Sequence, residues 1–345
     1  MNRKFKLTVI LLFIFLTAGI NAFAVEKSKE YHESWPANSV ESLEINNKFG
    51  DIKVVNDRGD VVTIDVVITV EAGNEIKAEE LLSLIDVGFK KTGNTVRAVT
   101  DISNFESRQK FSIDYAVNIP SDKNLKISNK YGDTFVNILN ANGVFDISYG
   151  NFTANELNAP EGQETEINLG YCKADIGSAN DISSTIQYSN INFGQIGDLT
   201  LNTKYTVINL GKADAVSAES RYDTFNFEEI ESLSVNSKYT NYKVDKLLKR
   251  LELESSYGGV RINKADSEFE FIKIFSSYGH IALGLDDANY SLDAACKYCG
   301  ISFPKSRFAG NSAKEDHTME VNGRVGDQEG GKVNIESRYG NIKLD

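Results

Sequence analysis

The chain has 345 residues, 37 of them basic and 49 acidic, for a formal net charge of −12, and it carries only 4 Pro and 1 Trp beside 26 Gly, 15 Tyr and 19 Phe. So acidic a body excludes general nucleic-acid binding and adsorption to anionic membranes. The mixture of β-formers and turn residues excludes a mainly helical fold.

Residues 1–24 read as a signal peptide. Arg3, Lys4 and Lys6 precede an apolar run from Leu7 to Ile20, and Ala22-Phe23-Ala24 is a small-x-small cleavage pattern, so the cut is expected after Ala24. Cleavage removes three basic residues and takes the net charge to about −15. No Cys follows the run to carry a lipid, and no later segment has the length and apolarity of a membrane span. An exported chain is expected, in the periplasm, on the outer surface or outside the cell.

Residues 25–130 read as first coils and a capping region. Asn47-Lys48-Phe49-Gly50-Asp51 opens a series of aromatic corners. Val61 to Val70 alternates as a strand, Ile76 to Val87 reads as one amphipathic helix, and Thr95 to Thr100 and Phe111 to Ile119 read as two more strands. Such a unit covers the open edge that a stacked fold leaves at its end.

Residues 131–345 are a repeat. After Phe49 the corner aromatic returns at Tyr131, Tyr149, Tyr171, Tyr188, Tyr205, Tyr222, Tyr239, Tyr257, Tyr278, Tyr298 and Tyr339. From Tyr131 to Tyr298 the spacings are 18, 22, 17, 17, 17, 17, 18, 21 and 20. An apolar-x-apolar pair stands before each corner, as in Leu251/Leu253 and Ile272/Ile274, and another after it, as in Val260/Ile262 and Ile342/Leu344. Two half-buried strands joined by a corner, repeated every 17–22 residues, make one coil of an all-β, single-stranded parallel β-helix or solenoid. Stacked coils put each ring on the one before it, and the apolar flanks place this ladder at one edge of the core rather than on an exposed strip. The Gly that often follows the ring supplies the positive φ of the turn. The 41 residues from Tyr298 to Tyr339 span about two coils, so one coil around Met319 to Val325 is expected to have lost its aromatic.

The signal peptide, the recurring Tyr-Gly-x-Ile-x-Leu pairs and the segment from Gly331 to Leu344 resemble the bacterial putative-adhesin β-strand-repeat family. The resemblance covers roughly Val40 to Leu344 and implies a right-handed solenoid at the cell envelope. It supplies no catalytic, metal or cofactor residues.

Chemistry-bearing residues are few. Cys296-Lys-Tyr-Cys299 is a CxxC, but its cysteines fill positions held by Ser and Gly in other coils, so a structural role or a local disulfide is expected; Cys172 should pair with neither. His32, His280 and His317 share no motif, and the acid pairs Glu228-Glu229 and Asp286-Asp287 lack calcium-loop spacing. The residue before the aromatic is basic at Lys48, Lys130, Lys204, Arg221, Lys238, Lys297 and Arg338. This row is a candidate anion-binding strip for acidic glycans; the plainer account pairs it with acids such as Glu219 and Glu336. The function expected is a non-enzymatic envelope or surface scaffold with a glycan or protein partner and no cofactor. The alternatives are a β-helix polysaccharide lyase and a periplasmic envelope-stress accessory protein.

Overall fold

The computed structural model describes residues 24–57, 59–103, 110–286 and 288–345; residues 1–23, where a signal peptide is expected, and Asp287 lie outside them. The chain winds as a parallel β-solenoid with two strand faces per coil. The central coils show the construction most simply. Strands Asn190–Lys204, Val207–Arg221 and Thr224–Lys238 each cover a whole coil and are separated by two-residue corners. The first half of each strand pairs on one face and the second half on the other. Alternate residues point inward and stack in columns, Ile191 on Ile208 on Phe225 and Leu199 on Val216 on Leu233. Each such side chain contributes about 1.5–3 kcal/mol by leaving water, and only the stacking of neighbours completes its burial.

The stacking order departs from chain order at both ends. The first coil, Ser42–Val55, is not the outermost layer. Strands Thr95–Ile102 and Lys110–Asn118 lie outside it, and Asn124–Leu139 lies on its inner side. Strand Val25–Pro36, hairpin partner Ile85–Thr92 and the helix Glu75–Ser83 complete this cap. The helix is shorter than the sequence pattern suggests, because Ile85 already pairs with Ile102 in an antiparallel hairpin. Asn74 caps it by accepting the Lys77 backbone N–H.

At the other end the coil expected around Met319 to Val325 does not exist. Thr318–Val325 instead folds back antiparallel on Tyr290–Lys297, with Phe308–Glu315 beyond it. The chain then returns, and Gly331–Arg338 slides between Phe271–Ser277 and Tyr290–Lys297, parallel to both. Ile342–Leu344 does the same on the second face. No described helix is long and apolar enough to cross a membrane.

Candidate functional site: a tyrosine–cation seam

Every coil turns through its aromatic. Phe49 and the eleven tyrosines all have φ between +51° and +66°. The positive φ thus sits on the ring-bearing residue and not on the glycine after it. The glycine answers a different need. A Cβ at Gly132 would lie 1.9 Å from the Gly50 carbonyl oxygen one layer away, so the post-aromatic position is held open by close approach.

Six coils carry another residue at that place, and there the side chain turns back on the corner. The hydroxyls of Ser189, Thr206 and Thr240 donate to the carbonyls of Gln187, Lys204 and Lys238, and the Cys172 thiol points at the equivalent carbonyl of Gly170. Asp223 is the most elaborate case. Its buried carboxylate accepts from Thr203 Oγ1, Ser220 Oγ and the backbone N–H groups of Thr206 and Arg221.

A left-handed turn swings the side chain away from the core. The rings stack from Phe49 to Tyr278, then Tyr339, then Tyr298, with centroids 4.8–5.1 Å apart and planes within 1–21° of parallel. Yet each tyrosine is 39–52% exposed. The ladder therefore runs along the surface, and the expectation of rings at the core edge is corrected. His317 stacks on Tyr298 at one end and Phe111 meets Phe49 edge-on at the other. Ring faces are thus spent on other rings, and what the ladder shows to solvent is ring edges and hydroxyls. None of the eleven tyrosine hydroxyls has a partner within the protein among the described residues.

A non-glycine residue in the left-handed region costs about 1–2 kcal/mol, and an aromatic pair returns about 0.5–1.5 kcal/mol. Tyr222 stacks on both Tyr205 and Tyr239, so Tyr222→Gly gives up two such pairs, about 1–3 kcal/mol, together with the burial of a half-covered ring, and these outweigh the relieved backbone strain. A net destabilisation of about 1–2 kcal/mol is expected in urea denaturation. A variant as stable as the parent chain would show that the ladder contributes nothing to folding.

The basic row runs beside the rings. Lys204, Arg221 and Lys238 occupy three successive layers in register, as do Lys48 with Lys130 and Lys297 with Arg338. None of these seven makes a salt bridge among the described residues, so the expected pairing with Glu219 and Glu336 is not formed. Instead the ammonium nitrogens of Lys48, Lys130, Lys204, Lys238 and Lys297 stand 5.2–5.8 Å from the centre of the neighbouring ring. Elsewhere on the rod charges are spent on each other: Glu229 holds Lys212 and Lys246, which push its carboxyl below the usual range.

The remaining candidates are dispersed. Cys296 and Cys299 are bridged across the Tyr298 corner, and Cys172 is buried and free, its thiol pushed up by burial. His32 pairs with Asp65, and His280 lies at a corner where its carbonyl accepts from Val260. Glu228 borders an open hollow of about 620 Å³ over Asn192, Asn209 and Asn226. The Asp286 carbonyl holds Arg307. No group of three or more His, Cys, Asp or Glu residues able to hold a metal occurs among the described residues. Sequence reading missed the amide row Asn192, Asn209 and Asn226, whose side chains bond one to the next; its signal was the 17-residue recurrence of Asn two places before an outward position on the same face.

The fold and seam define a parallel β-solenoid scaffold. Among solved structures, the chain is similar to a "putative cell adhesion protein" from Clostridium sporogenes ATCC 15579, at 11% identity and a TM-score of 0.24, covering 92% of this chain and 99% of that one. It is similar to a "putative adhesin" from Bacteroides fragilis NCTC 9343, at 12% identity and a TM-score of 0.28, covering 92% and 97%. A third, a "putative adhesin" from Parabacteroides distasonis ATCC 8503, has 11% identity and a TM-score of 0.29 over 74% and 92%. No protein-family model and no curated protein matches the chain.

Proposed function

We infer that the chain is an exported, non-catalytic, adhesin-like scaffold that holds a glycan or protein partner of the cell envelope along the tyrosine–cation seam. The observation that carries this reading is the row of eleven half-exposed tyrosine hydroxyls, unpartnered within the described protein, beside cations that no carboxylate neutralises. Donors left unspent at a regular interval on a rigid rod suit a partner that is itself extended. Two-residue corners between the central strands leave no chain from which a catalytic cleft could be built, which favours binding over turnover.

The test compares the mature chain with the Tyr188→Phe, Tyr205→Phe, Tyr222→Phe triple variant on glycan and protein arrays and in a cell-attachment assay. Phenylalanine keeps the stack and removes the hydroxyls. At about 0.5–1 kcal/mol per lost hydrogen bond, binding is expected to fall about tenfold or more. Undiminished attachment by the variant would remove the seam from the account.

A further inference from the structure

We propose that the central stretch of the seam, at Lys204, Arg221 and Lys238, is a site for a linear anionic glycan carrying about one negative charge per sugar, bound lengthwise along the rod. This rests on the seam reading above and narrows it to a ligand chemistry and a place.

Three observations carry it. First, among the described residues these three side chains are the longest unbroken run of cations in the row, one per layer, and they are exposed and without salt bridges there. Before the run the row holds Gln187, and after it Ser256 and Ser277. Second, its surroundings are nearly neutral. The next outward row on one side is Asn202, Glu219 and Asn236, and beyond the rings lie Val207, Thr224 and Asn241. Three exposed cations stand against one exposed carboxylate, Glu219, while the Asp223 carboxylate is buried beneath the corner and held by its own hydrogen bonds, so the outer surface here is a positive island on a chain whose net charge is −12. Third, the island is periodic. Rings 205, 222 and 239 are 4.9 and 4.8 Å apart, so one cation and one phenol hydroxyl return at each step.

That period selects the ligand. Duplex nucleic acid carries one charge per ~1.7 Å of axis, roughly three for each cation the seam offers. Its surplus charge would face an acidic body, and repulsion then outweighs three surface contacts. A glycan with one carboxylate or sulfate per residue matches the island nearly charge for charge. Its hydroxyls meet the row of phenols edge-on. Flat stacking of a sugar on a ring face is closed to it, because those faces are covered by neighbouring rings.

The experiment uses the mature chain, polygalacturonate, a sulfated glycan of similar length, a neutral glucan and duplex DNA, with affinities measured by calorimetry at low and at high salt. Both anionic glycans are probes of the one chemistry, and their ranking tells which source the site prefers. Binding of at least one is expected, weakening as salt shortens the screening length. The Lys204→Ser, Arg221→Ser, Lys238→Ser variant gives this stretch the residue the rod already carries at Ser256 and Ser277, so its fold is safe. It should lose about threefold to a hundredfold in affinity, the worth of three exposed ion pairs. The Ser256→Lys, Ser277→Lys variant lengthens the island and should bind tighter. Failure of the unaltered chain to bind either anionic glycan, equal binding by the triple variant, or equal affinity for DNA overturns the proposal. A neutral partner lost only in the Tyr→Phe variants would overturn it too, while leaving the seam as the contact surface.

Discussion

Gly279→Val is expected to destabilise the chain by about 3 kcal/mol or more, a value at the upper end of what overpacking costs. Gly279 does not have positive φ, so conformational freedom is not the reason. A Cβ there would lie 1.9 Å from the Gly258 carbonyl oxygen, and the pattern repeats: one at Gly258 would lie 1.8 Å from the Thr240 carbonyl and one at Gly340 1.9 Å from that of Gly279. The obstacle is backbone, and moving it means moving three layers held by ladder hydrogen bonds.

Thr240 keeps a side chain at the equivalent place because corners of its type bond differently. There the later coil donates to the earlier one, Thr224 N–H to the Thr206 carbonyl and Asn241 N–H to that of Asp223. At the glycine corners the sense reverses, with Val260 N–H donating to His280 and Ile281 N–H to Asn341. A corner cannot switch type without stranding a donor in its neighbour, so the substituted layer has no cheap relaxation. Chemical denaturation reads the effect. A loss under 1 kcal/mol would show that the layers part easily and that close approach is not what keeps glycine there.

The repeat was legible because a coil has nearly constant length, and one residue type marks its corner. Spacing fixes which residues share a column, so the stacking of Tyr205 on Tyr188 and of Leu233 on Val216 follows from counting. Two things do not follow from spacing. One is the direction of a side chain at a corner. The apolar flanks suggested burial, but a residue at φ near +60° directs its ring outward, and only the backbone reveals that the tyrosine and not the glycine adopts it. The other is layer order. The 41 residues between Tyr298 and Tyr339 fit two coils by length, and nothing local distinguishes a degenerate coil from a hairpin followed by a return. The cation row was visible as a pattern. Its lack of carboxylate partners was not, because Glu219 and Glu336 are near in sequence and their reach depends on which way each side chain leaves the strand.

Removing residues 331–345 is expected to unfold the layers beyond Leu283 while leaving the rest of the rod intact. The segment sits between two layers that are consecutive in sequence but not in space. Val333, Ile335, Ile342 and Leu344 are buried in it, a gross contribution of about 6–12 kcal/mol at 1.5–3 kcal/mol per side chain. Without it, strand Tyr290–Lys297 loses one of its two ladders and Tyr298 loses its contact with Tyr339.

A solenoid is stabilised by nearest neighbours, so the damage should stop where the next interface is whole, at Phe271–Leu283. Hydrogen exchange with mass spectrometry is the measurement: protection is expected to collapse across 290–325 and to persist from 124 to 270. Adding a synthetic 330–345 peptide should restore it. The opposite outcome is concrete. If 290–325 stays protected, the coil must have closed directly onto 271–283 in chain order, and the inserted layer would be dispensable. The N-terminal end argues against that, since it reaches the same arrangement by another route: coil Ser42–Val55 is likewise held from both sides by strands that follow it in sequence. At each end the layer that ties the cap to the rod is an interior one, so release of an outermost strand such as Phe308–Glu315, which pairs on one side only, leaves that tie in place.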